Sequence, residues 1–140
     1  MFKKKLRAER VQTLTEIDAL ARSGKPVLVD FFQVGCAPCQ VMDGIMNELA
    51  REYNGSAHVV KADITRMPDA ISRFGIRATP TMVLLAPAGT KGSKKARQRA
   101  TGTKGGRGPI TQRWRASGLV PKDQLARHLE SNGAKRVETA

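Results

Sequence analysis

The chain has 140 residues, is 40% hydrophobic and carries a formal net charge of +13. That is enough apolar material for one self-supporting domain spanning 1–140, so a disulfide scaffold is not needed. No apolar stretch approaches the roughly 18 residues of a membrane span. Two cysteines and the distant His58 and His128 do not form a zinc-finger or ribbon spacing, so no metal is expected.

Met1 to Arg7 has the charge of a signal-peptide start, but Glu9, Arg10 and Gln12 interrupt any apolar run behind it. A cytoplasmic location is expected on that ground, and cysteine pairs there are usually catalytic or redox-sensing. Val11 to Leu14 alternates and suits a short strand. Thr15 reads as a helix N-cap followed by Glu16 and Asp18, with Ile17, Leu20 and Ala21 on one face. Gly24 and Pro26 end that helix. Val27 to Phe32 is a nearly continuous apolar run, the pattern of a strand covered on both faces.

Cys36 to about Tyr53 reads as a long helix, with Val41, Met42, Ile45, Met46, Leu49 and Ala50 at three-four spacing and Asn54-Gly55 closing it. His58 to Ala62 is a strand, Pro68 to Phe74 a short helix stopped by Gly75, and Thr81 to Ala86 a strand turned by Pro87-Ala88-Gly89. Residues 90–109 alternate glycines with cations and hold no large apolar side chain, so they read as a mobile basic insertion in a hairpin loop. Ile110 to Ala116 alternates as an edge strand, with Ile110, Gln112, Trp114 and Ala116 on one side and Thr111, Arg113 and Arg115 on the other. Pro121 at N1 and Asp123 start a last helix whose Leu125 and Leu129 face inward. Residues 133–140 read as a tail. The order β-α-β-α-β-α-β-β-α is an α/β layout with a hairpin near its C-terminal end.

Chemistry concentrates at Cys36-Ala37-Pro38-Cys39, which holds both cysteines of the chain at a strand-to-helix junction. A thiolate attacks disulfides and a thiol does not. A helix beginning near Cys36 would stabilise its anion through unpaired N–H groups and the helix dipole. Cys39 lies one turn on, within disulfide reach, and Pro38 suits the first turn. Cys36 is then the attacking sulfur and Cys39 the resolving one. Two inert, buried helix cysteines are the bland alternative.

Asp30 interrupts an apolar strand, where a carboxylate is costly unless paired or used. Desolvation should raise its pKa, fitting it to carry a proton for Cys39. Lys61, mid-strand, is a candidate partner. A solvated strand-end Asp is the alternative. Pro80, in Thr79-Pro80-Thr81, is either a strand boundary or a cis-proline.

Residues 70–122 contain no acid, and the rest of the chain is nearly neutral. Lys91, Lys94, Lys95, Arg97, Arg99, Lys104 and Arg107 are the candidate anion-binding residues. They could be a solvated loop that only aids solubility. They could instead dock non-specifically on nucleic acid or an acidic protein, with counterion release giving steep salt dependence. Without aromatics for base stacking, sequence readout is not expected. No amphipathic helix accompanies them, which counts against a membrane surface.

Val29-Asp30-Phe31, Cys36-Ala37-Pro38-Cys39, Lys61-Ala62-Asp63, Gly75-Ile76-Arg77-Ala78-Thr79-Pro80-Thr81 and Gly118 together resemble the thioredoxin family. The resemblance covers about Val27 to Leu85 and Ile110 to Leu129. It implies a thioredoxin fold, a central mixed sheet flanked by helices, and dithiol–disulfide exchange on proteins. It implies Cys36 as nucleophile, Cys39 as resolver, Asp30 as proton carrier assisted by Lys61, and Pro80 as a cis-proline. Gly35, Ala37, Pro38, Thr79, Pro80 and Gly118 would contact a client segment pairing as an added strand. No cofactor is implied beyond the redox-active disulfide of Cys36 and Cys39. The partners implied are disulfide-containing clients and a thioredoxin reductase-type electron donor, and a monomer is expected. The chain departs from the family pattern at Gly35, where Trp is usual, at Ala37 for Gly, at Gly44 for a kinking Pro, and in the basic loop. A binding module held on a polyanion, with redox activity secondary, is the rival reading.

Overall fold

The computed structural model describes residues 7–87 and 109–137. All of Lys91, Lys94, Lys95, Arg97, Arg99, Lys104 and Arg107 lie outside the described residues, as do residues 138–140.

Five strands form one sheet: β1 (Glu9–Val11), β2 (Val27–Phe32), β3 (His58–Asp63), β4 (Thr81–Pro87) and β5 (Ile110–Ser117), in the order β1-β3-β2-β4-β5. β1 and β2 pair with β3 in parallel, while β4 runs antiparallel to β2 and β5. The parallel pairs need crossovers, and helices supply them. These are α1 (Leu14–Ala21) and α2 (Ala37–Glu52); α3 (Pro68–Phe74) and α4 (Lys122–Ser131) complete the layers.

Strand alternation sorts the apolar side chains into two cores. Val27, Val29 and Phe31 point toward α1 and α3, where Ile17, Ala21, Ala70 and Phe74 are buried. Leu28, Val59, Met82 and Leu84 point the other way, against Met42, Met46 and Leu49 of α2 and Leu125 and Leu129 of α4. The central strands are covered on both faces, which is why Val27 to Phe32 is apolar almost throughout.

Three boundaries differ from the sequence expectation. Helix α1 begins earlier than a Thr15 cap implies. Thr13 is the N-cap: its hydroxyl accepts the Glu16 N–H at 3.1 Å, and the Glu16 carboxylate accepts the Thr13 N–H at 3.1 Å. This capping box satisfies two donors reciprocally, an advantage Thr15 lacks without a Glu or Gln three residues on. Strand β1 accordingly occupies Glu9–Val11 rather than Val11 to Leu14. Pro121 is the N-cap of α4 rather than its first helical residue.

Strand β5 lies at the sheet edge, as its alternation suggests, but its sides are not uniform. Leu84 pairs with Trp114 and the next residue, Leu85, with Gln112, so Arg113 is an extra residue. One added residue sends everything beyond it to the opposite face. Trp114 and Ala116 pack against the α2/α4 core, whereas Ile110 packs against the α1/α3 core. Residues 134–137, expected within a tail, run along the end of α2. Ala134 is buried, and the Val137 N–H donates to the Glu52 carbonyl at 2.7 Å.

Candidate active site

β2 delivers the chain to the start of α2, and the two cysteines sit at that junction. Cys36 is the N-cap of α2, and the Cys39 N–H points at its sulfur at 3.3 Å. Ala37 and Pro38 fill the first turn, where the missing proline N–H has no helical partner to lose. The sulfurs form a disulfide with Cα atoms 5.2 Å apart. Cys36 is half-buried and Cys39 buried, so one sulfur is partly open to solvent and the other stays inside. Gly35 takes φ +85°, a left-handed conformation that glycine adopts without penalty, and nothing lies within 4 Å of where its Cβ would be.

The loop before β4 closes over Cys36. The Thr79–Pro80 bond is cis, which decides between the two sequence readings of that proline. The Thr79 carbonyl oxygen is 3.6 Å from the Cys36 sulfur and its hydroxyl 3.7 Å away. Gly118 is brought alongside by its N–H, which donates to the Pro80 carbonyl at 2.8 Å. Gly35, Ala37, Pro38, Thr79, Pro80 and Gly118 thus surround the disulfide or border its loop. Val34 and Leu119, next to Gly35 and Gly118, are exposed apolar side chains at 76% and 60%.

Asp30 lies in the middle of β2, 1% exposed, on the face directed toward α2. Neither carboxyl oxygen has a hydrogen-bond partner among the described residues. Burial pushes its pKa up to about 7; the charge of Asp43 adds to this and that of Lys61 opposes it. A cleft of about 250 Å³ connects Asp30 with Cys39 and opens between Gly35, Gln40 and Asp43. A buried carboxyl that titrates near neutrality beside the inner sulfur can give and take a proton there.

Lys61 is the register neighbour of Asp30 on β3. Its ammonium, however, donates to Asp43 of α2 and to Asn47 Oδ1 at 3.4 Å. Direct pairing of Lys61 with Asp30, a natural expectation from their strands, is replaced by this contact. Asp43 is the site residue that sequence reasoning missed. Its one signal is spacing: it follows Cys39 by four residues and so shares its helix face. Among the described residues, no group of three or more His, Cys, Asp and Glu side chains is placed to hold a metal. No helix there is long and apolar enough to cross a membrane.

The family model for thioredoxin matches residues 10–104. Thioredoxin from Alicyclobacillus acidocaldarius is 32% identical over 121 residues, covering 84% of this chain and 94% of that protein. Chloroplastic thioredoxin Y2 of Arabidopsis thaliana is 40% identical over 80 residues, 56% of this chain but only about half, 48%, of that relative's length. Among solved structures, a mutant thioredoxin from Halobacterium salinarum superposes with TM-score 0.67 at 25% identity. The match covers 95% of this chain and 96% of that one.

Proposed function

Because the chain belongs to the thioredoxin family, with its fold and its Cys-x-x-Cys redox pair, we propose that it is a thiol–disulfide oxidoreductase that reduces disulfides in client proteins. The observation that carries this reading is the Cys36–Cys39 disulfide at the N-terminus of α2, above a buried Asp30.

The cycle starts from the dithiol. The Cys36 thiolate, favoured by the N–H groups of the first turn, attacks a client disulfide and releases one client thiolate. The Asp30 carboxylate takes the proton of Cys39 through the shared cleft. The Cys39 thiolate then attacks the Cys36 sulfur, breaks the mixed disulfide and expels the second client thiolate, which takes up a proton. Two electrons have passed to the client, and the Cys36–Cys39 disulfide remains. A thioredoxin reductase-type donor, or another dithiol, returns the pair to its reduced state. Client backbone would pair along Thr79 beside Pro80, with Gly35 and Gly118 leaving room at the rim. We place the protein in a thiol-reducing compartment, where a lone reactive dithiol is kept available.

Insulin reduction with dithiothreitol as electron source tests the reading. Wild type should accelerate precipitation of the insulin B chain, and Cys36→Ser should fall to the rate of dithiothreitol alone. Equal rates for the two proteins would end it.

A second reading rests on charge segregation. Of the bases in the acid-free segment, Arg73 pairs with Asp18 and Lys122 with Glu48 and Glu52, while Arg115 donates to the Phe74 and Gly75 carbonyls. Seven of the twelve bases in that segment fall between Lys91 and Arg107, and we propose that they attract polyanionic partners. Deleting residues 91–107 should abolish salt-sensitive gel shifts with DNA or RNA. Unchanged binding after deletion would remove the segment from the account.

A further inference from the structure

Lys61 sits where an ion pair with Asp30 would be the simplest arrangement. The two residues are cross-strand neighbours, and both side chains face α2. An ammonium bonded to that carboxylate would stabilise its charge and make it a poor proton acceptor. The ammonium instead bonds Asp43 and Asn47, which are four apart and so present two oxygens from one face of α2. The Lys61 side chain is 9% exposed and that of Asp43 50%, so the pair runs from the protein interior to the mouth of the cleft.

We propose that Asp43 is a positioning residue for the disulfide exchange: it holds the Lys61 ammonium away from Asp30, leaving the Asp30 carboxyl free to trade a proton with Cys39. The proposal rests on the exchange reading of Cys36 and Cys39.

Among the described residues, the other charged groups around Asp30 are committed elsewhere. Arg10, from β1, lines the same cleft, but its guanidinium lies over the Phe32 ring at 5.2 Å from the centroid. Asp63, two residues after Lys61 on β3, accepts from the Thr65 N–H and hydroxyl at 3.0 and 2.7 Å. From β4, the neighbour of Asp30 is the uncharged Met82. From α2, the ionisable side chain at the cleft is Asp43, Cys39 being held in the disulfide. Lys61 and Asp43 are thus the pair whose arrangement decides the field at Asp30. The direction agrees: Asp43 drives proton affinity at Asp30 up, and Lys61 drives it down.

The test is a carbon-13 NMR titration of the Asp30 carboxyl in the oxidised protein. Asp43→Asn keeps an acceptor for Lys61 but removes the charge, and should lower the Asp30 midpoint by about 0.5–1 pH unit. Asp43→Glu keeps the charge and should restore most of the wild-type midpoint. In a Lys61→Met background, Asp43→Asn should produce a smaller shift, because the cation that Asp43 restrains is gone. An unchanged or raised midpoint in Asp43→Asn overturns the proposal, as does an equal shift in the Lys61→Met background. The titration reads Asp30 whether or not insulin is reduced, so failure here and failure of the exchange reading are separable.

Discussion

The Thr79 carbonyl oxygen lies 3.6 Å from the Cys36 sulfur, on the residue that enters the cis bond to Pro80. The more exposed sulfur and the Thr79 backbone, which the proposed exchange would offer to a client, therefore share one edge of the site. The Cys39 sulfur is buried behind them, beside Asp30. In the proposed exchange this arrangement would separate the sulfur that meets the client from the sulfur that releases it.

Cys39→Ser should trap the mixed disulfide between Cys36 and a client. Mixed disulfides with clients should accumulate through Cys36, survive on non-reducing gels and disappear with dithiothreitol. The Cys36→Ser, Cys39→Ser double variant should capture none. Capture by the double variant would show that the trapping does not depend on Cys36.

Stability should fall as pH rises through the range set by Asp30. Its folded pKa, about 7, lies above the ordinary value of 3.8. Below about 4 the carboxyl is protonated in both states and carries no penalty. Between about 4 and 7 the unfolded chain releases the proton while the folded one keeps it, so the unfolded state gains. Above about 7 the full cost applies, at most about 4 kcal/mol by linkage. Asp30→Ala should therefore gain roughly 2–4 kcal/mol relative to wild type on going from pH 4 to pH 8.5. Urea denaturation at both pH values checks it, and a pH-independent difference would refute it.

Gly44→Ala should stabilise the protein. Gly44 lies inside the 16-residue α2, and nothing approaches the position of an added Cβ within 4 Å. Helix propensity and reduced unfolded-state entropy predict about 0.5–1 kcal/mol, with a rise in Tm of a few degrees. A lower Tm would mean that α2 needs glycine there for a reason other than space.

Gly35→Trp puts back the residue usual in the family, yet should destabilise. The side chain has room, but φ of +85° at this position strains any residue with a Cβ. The expected loss is about 1–2 kcal/mol by chemical denaturation. A more stable variant would show that packing of the indole outweighs the backbone cost.

Much of this was legible in the chain. Cys36 at a strand-to-helix junction already implies an N-cap sulfur with its partner one turn on. Asp30 stands out because a carboxylate inside Val27 to Phe32 breaks an otherwise apolar strand. Other features carry no periodic signature. The extra residue at Arg113 is invisible to a two-residue repeat, which assigns Ile110 and Trp114 to one side when they serve different cores. Asp43 resembles any acid on the polar side of a helix until β3 brings Lys61 against it. Residues 134–137 lack an apolar run, and what fixes them is scattered: Val137 N–H on the Glu52 carbonyl, Lys135 on the Ser56 hydroxyl, and Arg136 over the Tyr53 ring. The Thr13 cap was readable from Glu16 three positions on, a stronger cue than the acids following Thr15.

The misfit at Arg113 also bears on solubility. A straight, fully extended outer strand is a template on which other chains can stack, and sheet proteins blunt such margins. Here the bulge interrupts the ladder of β5, and Arg113 and Arg115 put charge on that side. The opposite margin, β1, is three residues long and offers little to add to. Both borders of the sheet thus offer little purchase to a second chain that would extend it.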